Sequence, residues 1–329
     1  MKDTDYLSIS TRVRAMENRL FGRERRERMI DARTDEEALK ILAECGYAEP
    51  EDLSVPALNR VLTRARADLF ADLRSAVPQP ALVEVFQIKY DYHNLKVLVK
   101  AEALGEEAAR LLMAGGRYDP GALADAYRRG ALGDYPEALR RAAEEARETL
   151  NASGDPQAAD LILDRACYEE MTAAAKASGS AFLQGYVRLA VDAANLRTAV
   201  RCQRMGAGGE VLAGSLLPGG NVEPRAIAVS RGGELSRQFA GTPLEKAAEL
   251  GAGLTAPGAG NLTGFEKCCD DALNGYLSQA KRVAFGEAPV VAYLCAREAE
   301  ATAIRTILAG RKAGLSGDAI RERMRESYV

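Results

Sequence analysis

Residues Phe86 to Gly105 read FQIKYDYHNLKVLVKAEALG, and this stretch decides the fold. Ile88, Tyr92, Leu95 and Val99 recur at three- and four-residue steps, the spacing that places side chains on one face of an α-helix. Lys89, His93, Lys96 and Lys100 line another face. Inside the stretch lies a short pattern of an acid, two residues, Asn-Leu and a base (Asp91, Asn94, Leu95, Lys96), with Gly105 nine residues after the base. The pattern returns as Asp192, Asn195, Leu196 and Arg197, with Gly206 again nine residues on. A third, worn copy consists of Glu300, Ala303, Ile304 and Arg305, followed by Gly314. The bases lie 101 residues apart (197 − 96) and then 108 (305 − 197).

The agreement extends beyond these helices. Leu163-Asp164-Arg165 and Glu169 match Phe265-Glu266-Lys267 and Asp271 at an offset of 102 (265 − 163). Leu112 to Pro120 (LMAGGRYDP) matches Leu216 to Pro224 (LLPGGNVEP) at an offset of 104 (216 − 112). A period near 100 exceeds that of stacked solenoid repeats. The sequence therefore predicts three homologous helical domains, over residues 1–108, 109–210 and 211–329.

Composition narrows the function. The chain has 329 residues, 47% of them hydrophobic, enough for substantial cores. Its net charge of −3 argues against broad nucleic-acid binding, which depends on neutralising phosphates. No apolar run approaches the roughly 20 residues that span a bilayer, and MKDTDYLSIS contains no signal-peptide core. A cytoplasmic location is expected. The six cysteines show no CxxC spacing and read as reduced, mostly buried side chains. With no tryptophan and only 6% aromatics, the Ala-, Leu-, Glu- and Arg-rich chain favours helix throughout.

In chain order, Asp3 or Thr4 can cap a first helix with the stripe Tyr6, Ile9, Val13, Met16 and Leu20, whose charged face runs on through Arg23 to Arg28. Thr34 to Glu37 form a capping box, and Ser54 opens a helix that Pro78 and Pro80 end. Further helix starts are expected at Pro120, Pro136, Pro156, Pro224, Pro243 and Pro289, with Ser180 capping the second motif helix. Asn151 to Asp155 read as a loop, Phe265 to Phe285 as a helix, and Ser316 as the start of a charged helix reaching the terminus. Val83–Ile88 and Val222–Val229 are the only β-leaning stretches, and both merge into helical patterns. The chain is read as all-α.

A search for chemistry finds no active site. His93 has no second imidazole to share a metal, and no GxSxG, GxxxxGK[ST] or strand-linked GxGxxG is present. No cofactor is expected. Asp91, Asn94, Asp192 and Asn195 are poor mid-helix residues, so a structural return is expected of them: side chains bonding backbone groups of an adjoining loop. Lys96, Arg197, Glu300 and Arg305 complete the repeated positions. Gly105, Gly206 and Gly314 fit helix C-termini, where a positive φ is required.

The motif helices KYDYHNLKVLVKAEALG, VDAANLRTAVRCQRMG and AREAEATAIRTILAGRKAGL, with the ending IRERMRESYV, resemble the C-subunit family of V-type and A-type ATPases and ATP synthases. This is the counterpart of the eukaryotic d subunit, and the likeness runs from Tyr6 to Val329. The third copy departs from the pattern by carrying Ala303 where the others have Asn. The resemblance implies three similar helical domains arranged with pseudo-threefold symmetry as a funnel around a central cavity. It further implies a non-catalytic place in the central stalk, between the rotor shaft subunits of the D/F type and the membrane rotor ring. The membrane is then met only through the ring, and the charged runs Arg23–Arg28 and Arg321–Arg325 become candidate contacts. The alternative is a free-standing helical scaffold that binds a protein or RNA partner through Arg197, Arg201 and Arg204. An enzyme with an unrecognised pocket is a further alternative.

Overall fold

The computed structural model describes residues 2–51 and 54–329, and every regular element among them is helical. The chain packs as two compact units, one formed by residues 67–180 and the other by 1–66 together with 181–329.

The first of these is built on α4 (Val55–Ala76, whose second half belongs here), α5 (Ala81–Leu104), α6 (Pro120–Arg128), α7 (Glu137–Ser153) and α8 (Pro156–Ala177). Along α8, Ala159, Leu163, Cys167, Met171 and Ala175 recur every four residues and are buried. On α7 the buried stripe is Leu139, Ala142, Ala143, Ala146 and Leu150. Small side chains on both stripes let α7 and α8 approach closely, and α5 packs along α8. α5 is buried on most sides, from Leu82 through Val99. α6 and α8 begin as their sequences dictate: Asp119 and Asp155 accept from the backbone N–H of Ala122 and Gln157, both at 2.9 Å, and Pro120 and Pro156 occupy the first helical position.

The other unit holds α1 (Leu7–Glu17), α2 (Arg23–Asp31), α3 (Asp35–Glu44), the first half of α4, α9 (Ala181–Arg204) and the short α10 (Gly209–Ser215), α11 (Pro224–Val229), α12 (Gly233–Gln238) and α13 (Glu245–Ala252). It continues with α14 (Thr263–Leu277), α15 (Glu287–Lys312) and α16 (Gly317–Arg321). Two of its cores are built on α9 and α15. In one, Leu196, Val200 and their neighbours on α9 meet Ile227, Leu235, Phe239, Leu244, Phe265 and Cys269. In the other, Ala301, Ile304 and Ile307 of α15 meet Phe21, Met29, Ile41, Leu42 and Leu58. Each fully buried leucine or phenylalanine contributes roughly 2 kcal/mol.

Several boundaries differ from the sequence reading. The first helix does not continue to Arg28; it stops at Glu17, and α2 restarts after Gly22. Phe21, between the two helices, and Met29 of α2 are both buried in the core. α7 extends through Asn151 to Ser153 before Gly154 ends it. α13 opens at Glu245, two residues after Pro243. α14 stops at Leu277 and gives way to a 3₁₀ turn, Ser278–Arg282. α15 starts at Glu287, so Pro289 lies in its first turn rather than at its opening. The last helix ends at Arg321, because the residues beyond it bond to side chains of α14 instead of to themselves. Five of the six cysteines are buried, Cys268 is half-buried, and all are reduced; burial pushes the thiols of Cys45, Cys167 and Cys269 up to about 12.

Candidate functional site

The repeated residues lie on α5, α9 and α15, and on each helix they face a loop or helix that comes from elsewhere in the chain. Asn94 makes a reciprocal pair with one residue: its Nδ2 donates to Met113 O at 2.9 Å, and Met113 N donates to its Oδ1 at 2.7 Å. Asn195 does the same with Leu217, at 2.8 Å both ways. A side-chain amide thereby replaces the hydrogen bonds that a neighbouring backbone would make, and satisfies both the N–H and the C=O of the loop residue.

Three residues before each asparagine, an acid holds the same loop further on. Asp91 accepts from Arg117 N at 3.0 Å and from Arg117 Nε at 2.6 Å, and Arg117 Nη1 reaches Glu170 at 2.5 Å. Asp192 accepts from Asn221 N and Val222 N, both at 3.0 Å, and from Asn221 Nδ2 at 2.7 Å. Both aspartates are buried to the point of near-complete exclusion from solvent. Burial raises the Asp91 carboxyl from 3.8 to about 6, against the pull of Arg117 and two backbone N–H groups. The loops press so closely that Gly116 and Gly220 have no room for a side chain: a Cβ on either would overlap Oδ1 of the aspartate it serves.

Glu300 of α15 finds its partners elsewhere among the described residues. It accepts instead from Phe21 N at 2.5 Å and Tyr47 Oη at 2.6 Å, with Arg297 Nη1 at 2.5 Å. Phe21 stands one residue before the N-cap of α2, as Tyr118 and Val222 stand before the N-caps of α6 and α11. The N-terminal segment thus supplies the third copy with the start of a helix that the first two copies find in the residues that follow them. Burial raises the Glu300 carboxyl as well.

This register explains the missing asparagine. Met113 and Leu217 lie five residues before Tyr118 and Val222; the same step back from Phe21 reaches Met16. Met16 is inside α1, and its carbonyl already accepts from Arg19 N at 3.0 Å. An amide at position 303 would find no open backbone there, so alanine suffices. The glycine register likewise falls on Arg19, which has a Cβ. The acid there is a glutamate, one methylene longer than the aspartates.

The bases join each motif helix to another long helix. Lys96 Nζ is 2.6 Å from Asp164 on α8, and Arg197 reaches Glu266 at 2.6 Å and Asp270 at 2.5 Å on α14. Arg305 Nε donates to Asn59 Oδ1 at 2.9 Å on α4. A second residue near each helix end repeats the design: Tyr127 Oη donates to Glu102, Gln203 Nε2 to Ser230 O at 3.0 Å, and Arg311 Nη1 to Ile30 O and Ala32 O at 2.9 and 2.8 Å.

Gly105, Gly206 and Gly314 close the three helices with φ of 68°, 68° and 71°. In each case the residue after the glycine donates back across the last turn (Glu106 N to Ala101 O, Ala207 N to Cys202 O, Leu315 N to Gly310 O), at 2.9, 2.9 and 3.0 Å.

The remaining candidates for chemistry are used internally. His93 Nε2 lies 3.4 Å from Leu111 O. Arg201 pairs with Glu266 and Arg204 donates to Gly260 O, both at 2.6 Å, so both arginines have partners within the chain. In the charged runs, Arg28 pairs with Glu44, and Arg321 with Glu27 and Asp31. Among the described residues no group of three or more His, Cys, Asp or Glu side chains is placed to hold a metal ion, and no helix is long and apolar enough to cross a membrane. Sequence reasoning missed Arg117, Glu170, Tyr47, Asp270 and Asn59. One signal was available: Leu58-Asn59-Arg60 aligns with Leu163-Asp164-Arg165 at an offset of 105 (163 − 58).

The family described as ATP synthase (C/AC39) subunit matches residues 9–323. The chain is 26% identical to the C subunit of the V-type sodium ATPase of Enterococcus hirae, over 98% of this chain and 99% of that protein. It is 23% identical to the C subunit of the A-type ATP synthase of Haloquadratum walsbyi, over 95% and 96%. With the C subunit of the V-type ATP synthase of Thermus thermophilus it shares 27% identity over 61% of this chain and 64% of the other. A match of this extent, on a chain whose repeated residues are spent on holding its own helices together, makes it a member of the ATP synthase (C/AC39) subunit family, the C subunits of V-type and A-type ATPases.

Proposed function

We propose that the chain is a non-catalytic element of the central stalk of a rotary V/A-type ATPase, passing torque between the shaft subunits and the membrane rotor ring during ATP-linked proton or sodium transport. The observation that carries this reading is the internal use of every repeated polar residue. Each motif helix is fixed at its middle by a buried acid, at its basic position by a bond to the next long helix, and at its end by a further side chain. Such a body resists bending, because deforming it would expose buried carboxylates and strand backbone N–H groups, at about 1–3 kcal/mol for each group left without a partner.

Three copies of one helical domain, each handing its motif helix to the next, support a pseudo-threefold funnel as the working shape. Residues 1–108, 109–210 and 211–329 are the proposed domains. The wide end would take the shaft and the narrow end would rest on the ring, so the chain would meet the membrane only through its partners. The test is a pull-down with shaft and ring proteins of the same cell, followed by measurement of ion transport in complexes lacking the chain. Capture of both partners, with ATP hydrolysis persisting and transport lost when the chain is omitted, is the expected result. Specific, salt-sensitive RNA retention without either partner would replace this reading with that of a free-standing scaffold.

A further inference from the structure

The three seams between copies are not equivalent. Gly105 and Tyr118 are 13 residues apart (118 − 105), and Gly206 and Val222 are 16 apart (222 − 206), so short covalent links hold the first two seams. Glu300 and Phe21 meet across 279 residues of chain. Only non-covalent contacts keep this third seam shut.

Residues 325–329 bridge α14 to the N-terminal helices beside it. On one side they bind α14: Arg325 Nε donates to Asp270 at 2.9 Å, Glu326 N to Asp271 at 2.7 Å, and Asn274 Nδ2 to Glu326 O at 2.9 Å. On the other side they bind the N-terminal helices. Arg26 Nη1 donates to Arg325 O at 2.9 Å, and Tyr328 Oη donates to Glu17 at 3.0 Å. Arg14, paired with the same Glu17, donates to Tyr328 Oη at 3.2 Å and to Val283 O at 2.7 Å. A Cβ built on Gly22 would lie 3.6 Å from Val329 Cγ2. The segment has no regular structure, yet Tyr328 is 4% exposed, with Lys281 Nζ 5.1 Å from its ring centre.

We propose that Arg325–Val329 is a strap controlling the opening of the Glu300 seam, so that α1, α2 and α3 part from α15 as one cooperative unit when the strap lets go. On the central-stalk reading, an openable seam would allow the chain to be seated around a shaft from the side. The strap does not depend on that reading, since its test uses the isolated chain.

Hydrogen exchange of the full-length protein tests it with two variants. Arg325→Ala/Tyr328→Ala frees the strap. Gly22→Cys/Val329→Cys, oxidised, locks it: Gly22 has φ −69° and accepts a side chain, and its Cβ position lies 3.6 Å from Val329 Cγ2. Freeing should raise exchange of α2, α3 and α15 together by about tenfold, leaving α5 and α8 unchanged. Locking should slow the same amides by about tenfold or more, and reduction should restore the wild-type rates. Seam amides indifferent to the lock would overturn the proposal, as would faster exchange spread evenly over the whole chain. If the freed variant does not fold, the locked one decides alone.

Discussion

Asp192 and Gly220 are two halves of one contact, and neither side chain is negotiable while the other stays. A methyl group at position 220 would occupy the space of the Asp192 carboxylate oxygen. Gly220→Ala should therefore lower stability by about 1–3 kcal/mol, read from urea unfolding. Asp192→Ala should cost a similar amount, because it leaves the N–H groups of Asn221 and Val222 without acceptors. The two losses should not add: in the Asp192→Ala background the Gly220→Ala change should be nearly free, and additive losses would mean that the two residues act separately. Ala303 is the converse case. Installing the absent amide with Ala303→Asn should lower stability by about 1 kcal/mol, since Met16 offers no open backbone; a gain on thermal melting would refute the register that links Met16 to Met113 and Leu217. Asp91 adds a pH dependence of definite sign. Between the ordinary 3.8 and about 6 the folded chain retains a proton that the unfolded chain has released. The contribution of Asp91 is thus greatest below pH 4 and declines as pH rises to 6, by on the order of 2–3 kcal/mol. Subtracting the stability profile of Asp91→Asn from that of the wild type should isolate this slope.

At the scale of elements, the helix ends were the part best written in the sequence, because caps are local. Asp119, Asp155 and Thr34 each accept a backbone N–H within the next three residues, and prolines sit at first helical positions of α6, α8 and α11. The terminal glycines follow the same logic. Gly314→Ala should cost about 1 kcal/mol for holding φ near 71°, and Gly105→Ala the same, measurable as matched drops in melting temperature. Gaps between elements were less legible. The Arg23–Arg28 run reads as the outer face of a longer first helix, since nothing in the charge pattern announces that Phe21 must turn inward to meet Glu300. The terminal run after Ser316 misled in the same way: its helix-forming residues are held out of helix by Asp270, Asp271 and Asn274, which lie some 50 residues earlier. Tertiary partners overrode local propensity in both places.

For the whole molecule, an acid and a base at fixed spacing, recurring about every 100 residues on α5, α9 and α15, pointed to the family to which the chain belongs. Those facts depend on residue identity and order alone, so the sequence by itself determined them, along with the all-helical class and the absence of any recognisable catalytic motif. Which groups the repeated side chains hold was settled only by the folded chain. The partners of Asp91 and Asp192 lie 26 to 30 residues away, and that of Glu300 lies 279 away at the opposite end. A hydrogen bond between distant segments leaves no local trace, because its donor is a backbone N–H that every residue but proline possesses. For that reason the sequence could display three copies of one block, while only tertiary structure could decide that the N-terminal helices complete the third.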